Sequence, residues 1–166
     1  MQLAWTVDSG DVRKKSMFDV DTIICPTDFS EPSYEGLKTA VAIAEHFSAE
    51  LILVHVVRPV PNIVGTGAPT GYHMPMVLKE MEAQAAQRIE ADAATRIPRH
   101  VRSRTIVSTG QPADRIVQTA LEEKVQMIVM ATHGQSGWQR FVSGSETERV
   151  IRKATCPVYV VPAPEE

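Results

Sequence analysis

Cysteine is scarce: Cys25 and Cys156 are the two in 166 residues. That excludes a disulfide-stapled fold. No Cys-x-x-Cys pair and no His/Cys cluster at ligand spacing occurs, so a structural zinc site is excluded as well. Both cysteines sit in or before apolar runs and read as small buried hydrophobes. Apolar runs are themselves short. The longest, such as Leu51–Val54, fall far below the roughly 20 residues that span a bilayer. Met1–Gly10 lacks a basic segment leading into a long apolar one, so the expectation is a cytoplasmic protein without membrane contact. An excess of positive charge is also missing, with 17 basic residues against 20 acidic, net −3. General nucleic-acid binding, which needs a basic face, is therefore not expected. One local cluster, Arg96, Arg99, His100, Arg102 and Arg104, reads as a solvated loop running into an edge strand, where charge blocks sheet-to-sheet pairing.

What is present is alternation. Val20–Cys25 reads as a first strand stopped by Pro26. Ser30 and Pro32 supply helix-start chemistry. Leu37, Ala40, Val41, Ala44 and Phe47 then recur at helical spacing, predicting a helix over 32–47. Residues 51–57 form a near-continuous apolar run, the mark of a strand buried on both faces. The Pro- and Gly-broken stretch 58–75 predicts a long loop, of the length usually functional or disordered. A second helix is predicted over 76–97 and a third strand over 101–107. Gly110 and Pro112 open a third helix, and 126–131 reads as a fourth strand. Ser145 and Glu148, at capping-box spacing, begin a fourth helix, and 157–161 closes as a fifth strand. Residues 1–17 read as an N-terminal extension, 18–162 as the domain and 163–166 as a tail. Strand–helix alternation of this kind gives an α/β fold, a parallel sheet covered by helices on both faces. Ligands in such sheets bind beyond the carboxyl ends of the strands. The stretches to watch are thus Pro26–Ser30, Val56–Pro75 and Ala131–Ser145.

The phosphate loop G-x-x-x-x-G-K-[ST] is absent. Gly65–Gly71 imitates a dinucleotide fingerprint, but with one residue too many before its last glycine and with prolines where a helix should start. A flavin phosphate is disfavoured because Pro26-Thr27-Asp28-Phe29 puts a carboxylate in the first loop. After strand four, Gly134 and Gly144-Ser145-Glu146-Thr147 combine close backbone approach with a helix N-terminus, which suits a phosphate chain. The same residues also serve a plain connecting loop, and both readings stay open.

Several stations together resemble the universal stress protein family. They are Pro26-Thr27-Asp28-Phe29-Ser30, Leu53-Val54-His55-Val56 and Gly110-x-Pro112. They continue with Ala131-Thr132-His133-Gly134, nine residues and Gly144-Ser145, and close with Cys156-Pro157-Val158-Tyr159-Val160-Val161. The resemblance runs from about Phe18 to Pro162. It implies a three-layer α/β/α domain with a five-stranded parallel sheet of order 3-2-1-4-5, a homodimer paired through the final strand Val158–Val161, and ATP as ligand with magnesium carried by the nucleotide. Carried over by motif, Asp28 would accept from the adenine amino group and the Val56 backbone would read the base. Pro26 and Thr27 would shape that end. Met130 and Ala131 would line the ribose. His133, Gly134, Gln135, Gly144, Ser145, Glu146 and Thr147 would surround the phosphates.

Two residues depart from the family pattern. Ala131 stands where the signature has glycine; it is either a position needing φ > 0 or simply a strand end. Glu146 follows Gly144-Ser145 and sets an anion beside the expected phosphates, while as a helix-start residue it suits the dipole. Asp28 could cap a turn instead. His133 could be a phosphate partner or a surface residue, and Ser145 a plain cap. The expected function is a nucleotide-dependent regulatory dimer in a stress response, at most a slow ATPase with no assigned catalytic residue. The alternative is a protein-interaction module of the same fold that binds no nucleotide.

Overall fold

A computed structural model describes residues 19–59, 74–132 and 146–162. The segments 1–18, 60–73, 133–145 and 163–166, with the expected extension, tail and most of the long loop, lie outside the described residues. In chain order the elements are β1 (Thr22–Pro26), α1 (Glu31–Phe47), β2 (Glu50–Val57), α2 (Met74–Arg96), β3 (Ser103–Thr109), α3 (Pro112–Glu122), β4 (Met127–Ala131), α4 (Glu146–Lys153) and β5 (Val158–Val161). The five strands form one parallel sheet in the order β3-β2-β1-β4-β5. That is the expected three-layer α/β/α architecture.

The central strands β1, β2 and β4 are buried on both faces, which is why they read as largely apolar runs, whereas the edge strands β3 and β5 are only partly covered. Side chains alternate across the sheet. Ile23, Cys25, Leu51 and Leu53 pack with Leu37, Ala40, Val41 and Ala44 of α1 and Ile89 of α2. Ile24, Ile52, Val54, Ile128 and Met130 pack on the other face with Ala113, Ile116 and Ala120 of α3 and Val150 of α4. Burial pushes the Cys25 thiol up to about 12, so it behaves as the small hydrophobe its sequence context suggests.

Most element boundaries differ from expectation by one or two residues. β3 starts at Ser103, two residues late, because the Val101 N–H is turned onto the Pro98 carbonyl at 2.9 Å and Leu51 takes Ser103 as its ladder partner. Pro26 belongs to β1 as its last residue, opposite Val54, a place where no further donor is required. α2 begins at Met74. At α1, Ser30 is the N-cap and accepts from the Ser33 N–H, Pro32 stands in the first turn, and Ser48 closes the helix in the left-handed region at φ 55°. No helix among the described residues is long and apolar enough to cross a membrane.

Candidate functional site

β1 ends before β2 does. Pro26 is the last β1 residue, opposite Val54, and the Thr27 N–H still donates to the Val54 carbonyl at 2.8 Å. β2 runs on to Val57, whose carbonyl turns to β3 and accepts from the Gly110 N–H at 3.0 Å. Main-chain groups alternate sides along a strand. Val56 therefore directs its N–H and carbonyl to the same side as Val54, past the point where β1 has stopped. This notch at the carboxyl ends of β2, β1 and β4 is where ligands of open parallel sheets sit.

The turn from β1 into α1 is held by its own side chains. Ser33 Oγ donates to the Ser30 carbonyl at 2.8 Å, which leaves the Thr27 hydroxyl to donate to Ser33 Oγ at 3.0 Å. Thr27 Oγ1 also accepts from the Phe29 N–H at 3.0 Å. Asp28 Oδ1 accepts from the Ser30 N–H at 3.1 Å and from the Ser30 hydroxyl, a turn-capping role for at least this oxygen. The turn forces Phe29 to φ 64°. Its ring lies on the His55 imidazole, centroids 4.3 Å apart, with the Arg88 guanidinium 4.3 Å from the centroid on α2's side. His55 Nδ1 lies 2.8 Å from the Thr27 carbonyl, an acceptor only, so Nδ1 carries the proton. Burial lowers the His55 pKa below its ordinary value, against the opposing pull of that carbonyl and of Asp28.

At the β4 end, Met130 and Ala131 are buried and Ala131 pairs with Val161. Ala131 is not among the residues at positive φ; it is a strand end, so its methyl costs no backbone strain. Gly36 of α1 lies directly against it: a β-carbon there would come 3.2 Å from the Ala131 nitrogen. Thr147 is buried, and its hydroxyl donates to the Ala131 carbonyl at 2.9 Å, tying the first turn of α4 to the end of β4.

Glu146, the first residue of α4, is fully engaged. One carboxylate oxygen accepts from Arg58 Nη2 at 3.0 Å and Arg149 Nη1 at 3.3 Å; the other accepts from the Ala113 N–H in the first turn of α3 at 3.1 Å. It thereby caps α3, whose N-cap residue Gln111 makes no side-chain cap bond.

Of the expected site residues, Pro26, Thr27, Asp28, Val56, Met130, Ala131, Glu146 and Thr147 stand on three adjacent strand ends and the start of α4. His133, Gly134, Gln135, Gly144 and Ser145 lie outside the described residues. Sequence reasoning passed over Arg58, Gly36 and the Arg88–Phe29–His55 stack. Only Arg58 carried a signal, as a cation immediately after a strand that borders the site. No group of three or more His, Cys, Asp or Glu side chains among the described residues could hold a metal.

A family model described as the Universal stress protein family matches residues 19–162. A universal stress protein of Methanocaldococcus jannaschii is 37% identical over 145 residues, covering 87% of this chain and 83% of that protein. Among solved structures, universal stress protein UspA from Lactobacillus plantarum is similar at a TM-score of 0.67 and 26% identity, over 87% of this chain and 99% of that one. A universal stress protein solved in complex with cAMP shares the fold at a TM-score of 0.59 and 21% identity, over 89% of this chain and all of that one.

Proposed function

The chain belongs to the universal stress protein family, and from that premise we propose that it binds ATP at the carboxyl ends of β1, β2 and β4 and acts as a cytoplasmic, nucleotide-dependent regulatory homodimer in a stress response. The observation that carries the reading is the notch beyond Pro26. There the Val56 backbone points past the end of β1, Asp28, Met130 and Ala131 stand at the ends of the neighbouring strands β1 and β4, and α4 is the helix that follows β4. A donor–acceptor pair on the backbone matches the edge of a purine. Glycine-flanked α4 suits the phosphates, with Gly134, Gly144 and Ser145 assigned there from the sequence motif. A protein of the same fold was solved with cAMP, which supports an adenine nucleotide as the ligand class. Magnesium would arrive with ATP, since Asp28 and Glu146 already hold protein donors.

No catalytic residue is assigned. Glu146, the acid nearest the start of α4, has both oxygens committed, so the protein is read as a binder, not a hydrolase.

The test is a thermal melt with and without millimolar magnesium-ATP, after a denatured sample has been checked for carried adenine. A micromolar site gives about 4 kcal/mol of stabilisation, on the order of 10 °C for a domain of this size. No shift and no carried nucleotide would refute ATP binding. A second reading then takes its place, a nucleotide-free interaction module, favoured by one observation: Glu146 and Asp28 satisfy the site's donors from within the chain.

A further inference from the structure

The Glu146 carboxylate sits where three donors converge from three elements. Arg58 comes from the exit of β2, Arg149 from the first turns of α4, and the Ala113 N–H from the start of α3. Two guanidinium groups and a helix-start N–H form a cradle for an oxyanion: planar forks that grip paired oxygens, plus a backbone donor at the positive end of a helix dipole. The occupant is the chain's own carboxylate. Its grip is loose on the solvent side, because the side chains of Arg58 and Arg149 are 62% and 50% exposed, whereas that of Glu146 is 29% exposed. The cluster carries two positive charges against one negative.

We propose that Glu146 is an internal stand-in for a phosphoryl group, and that Arg58 and Arg149 exchange this carboxylate for the phosphates of the bound nucleotide. This deepens the ATP reading and rests on it. A carboxylate brings one charge to the cradle and a polyphosphate brings several, so the exchange is driven by charge and favours ligands with more phosphates. The cost is borne by Glu146, which must give up Arg58 and face the incoming anion. Glu146 therefore weakens ATP relative to what the bare cradle would bind, and Arg58 separates phosphorylated from unphosphorylated ligand. Adenosine, which reaches only the notch beside Val56, is indifferent to both residues.

The experiment is calorimetric titration of the full chain with ATP and, separately, with adenosine, for the wild type, Glu146→Gln, Arg58→Gln and the double variant. Glutamine keeps an acceptor for the Ala113 N–H, and thermal melts without ligand report that each variant is folded. Glu146→Gln is expected to bind ATP about tenfold tighter and Arg58→Gln about tenfold weaker, the size of one charge-assisted hydrogen bond, with adenosine affinity unchanged. In the double variant the gain from Glu146→Gln shrinks, because the guanidinium it released is gone. Raising salt should weaken ATP binding less in Arg58→Gln than in the wild type. If ATP binds all four proteins equally, or Glu146→Gln binds it more weakly, the exchange is overturned while the nucleotide reading stands. If neither ATP nor adenosine binds any of the four, both fall together. Binding of ATP to Glu146→Gln but not to the wild type would also overturn the exchange, because Glu146 would then close the cradle instead of giving way.

Discussion

Phe29 is held at φ 64°, a conformation that costs an L-residue roughly 1–2 kcal/mol. The stack with His55 and Arg88 offsets part of that cost, and so does the hydrogen bond from its N–H to Thr27. His55 is the titratable member of this stack. It faces the Thr27 carbonyl, the Asp28 charge and the Arg88 guanidinium, and burial makes its folded pKa lower than the unfolded value. In the acid range just below the ordinary value of about 6.5, the unfolded chain then binds more protons than the folded one. His55 thus contributes fully above that value, and stability falls with pH until the folded pKa is passed. Replacing it by Gln should flatten this limb of the stability profile. Urea titrations across the range decide it, and a limb of unchanged slope in His55→Gln would reject the assignment. Of this corner, Asp28 and Thr27 were legible because they follow a strand, and open parallel sheets as a class take ligands beyond their strand ends. The stack was not, because Arg88 lies 59 residues along the chain from Phe29 and only the fold brings them together. The contact between Arg58 and Glu146, 88 residues apart, was hidden for the same reason. The two readings left open for Ala131 are separated by the backbone alone: it ends β4 at ordinary φ.

The helix-to-strand joints show where sequence periodicity is strong and where it is silent. Among the described residues, periodicity together with cap and turn residues located four helices and five strands. It placed β3 early because Val101 is apolar and buried, yet its N–H serves a turn and not the ladder. It also gave no hint of Gly36, whose missing side chain lets α1 approach the Ala131 backbone. A close approach of this kind leaves no periodic trace. The α1–β2 joint carries a prediction of its own. Ser48 closes α1 at φ 55°, is exposed, and uses its backbone N–H toward Ala44 and Glu45 and its carbonyl toward Arg102. None of these contacts involves its hydroxyl. Glycine adopts this left-handed cap freely. After the entropy cost of glycine in the unfolded chain, Ser48→Gly should still gain about 1 kcal/mol, a rise in Tm of about 2–4 °C. Calorimetry showing a Tm equal to or below the wild type would contradict the strain at this cap.

At the scale of the whole molecule the two sheet edges are unlike. β3 is the long edge, and it is guarded: Arg104 is drawn onto Glu50 and Glu123, and Arg102 onto the Ser48 carbonyl. His100 pairs with Glu45 and Arg96 with Asp92, so much of the basic cluster in the sequence meets acidic partners within the chain. β5 is the other edge, four residues long, wholly apolar apart from a half-exposed Tyr159. Its pairing with β4 runs through the carbonyls of Pro157 and Val161, so Val158 and Val160 point their main-chain groups outward. Among the described residues no strand pairs with this outer side of β5, and an apolar strand edge of this kind is a template for a second strand, which supports the proposed homodimer through Val158–Val161. Proline at position 160 would remove one outward donor and leave the β4 ladder intact, a place where an edge strand tolerates it. Light scattering of the wild type at micromolar concentration should give twice the 18.3 kDa chain mass. Val160→Pro should give a single chain with an unchanged circular dichroism spectrum. A wild-type monomer would refute the pairing outright. A Val160→Pro dimer would move the interface away from β5 to another face.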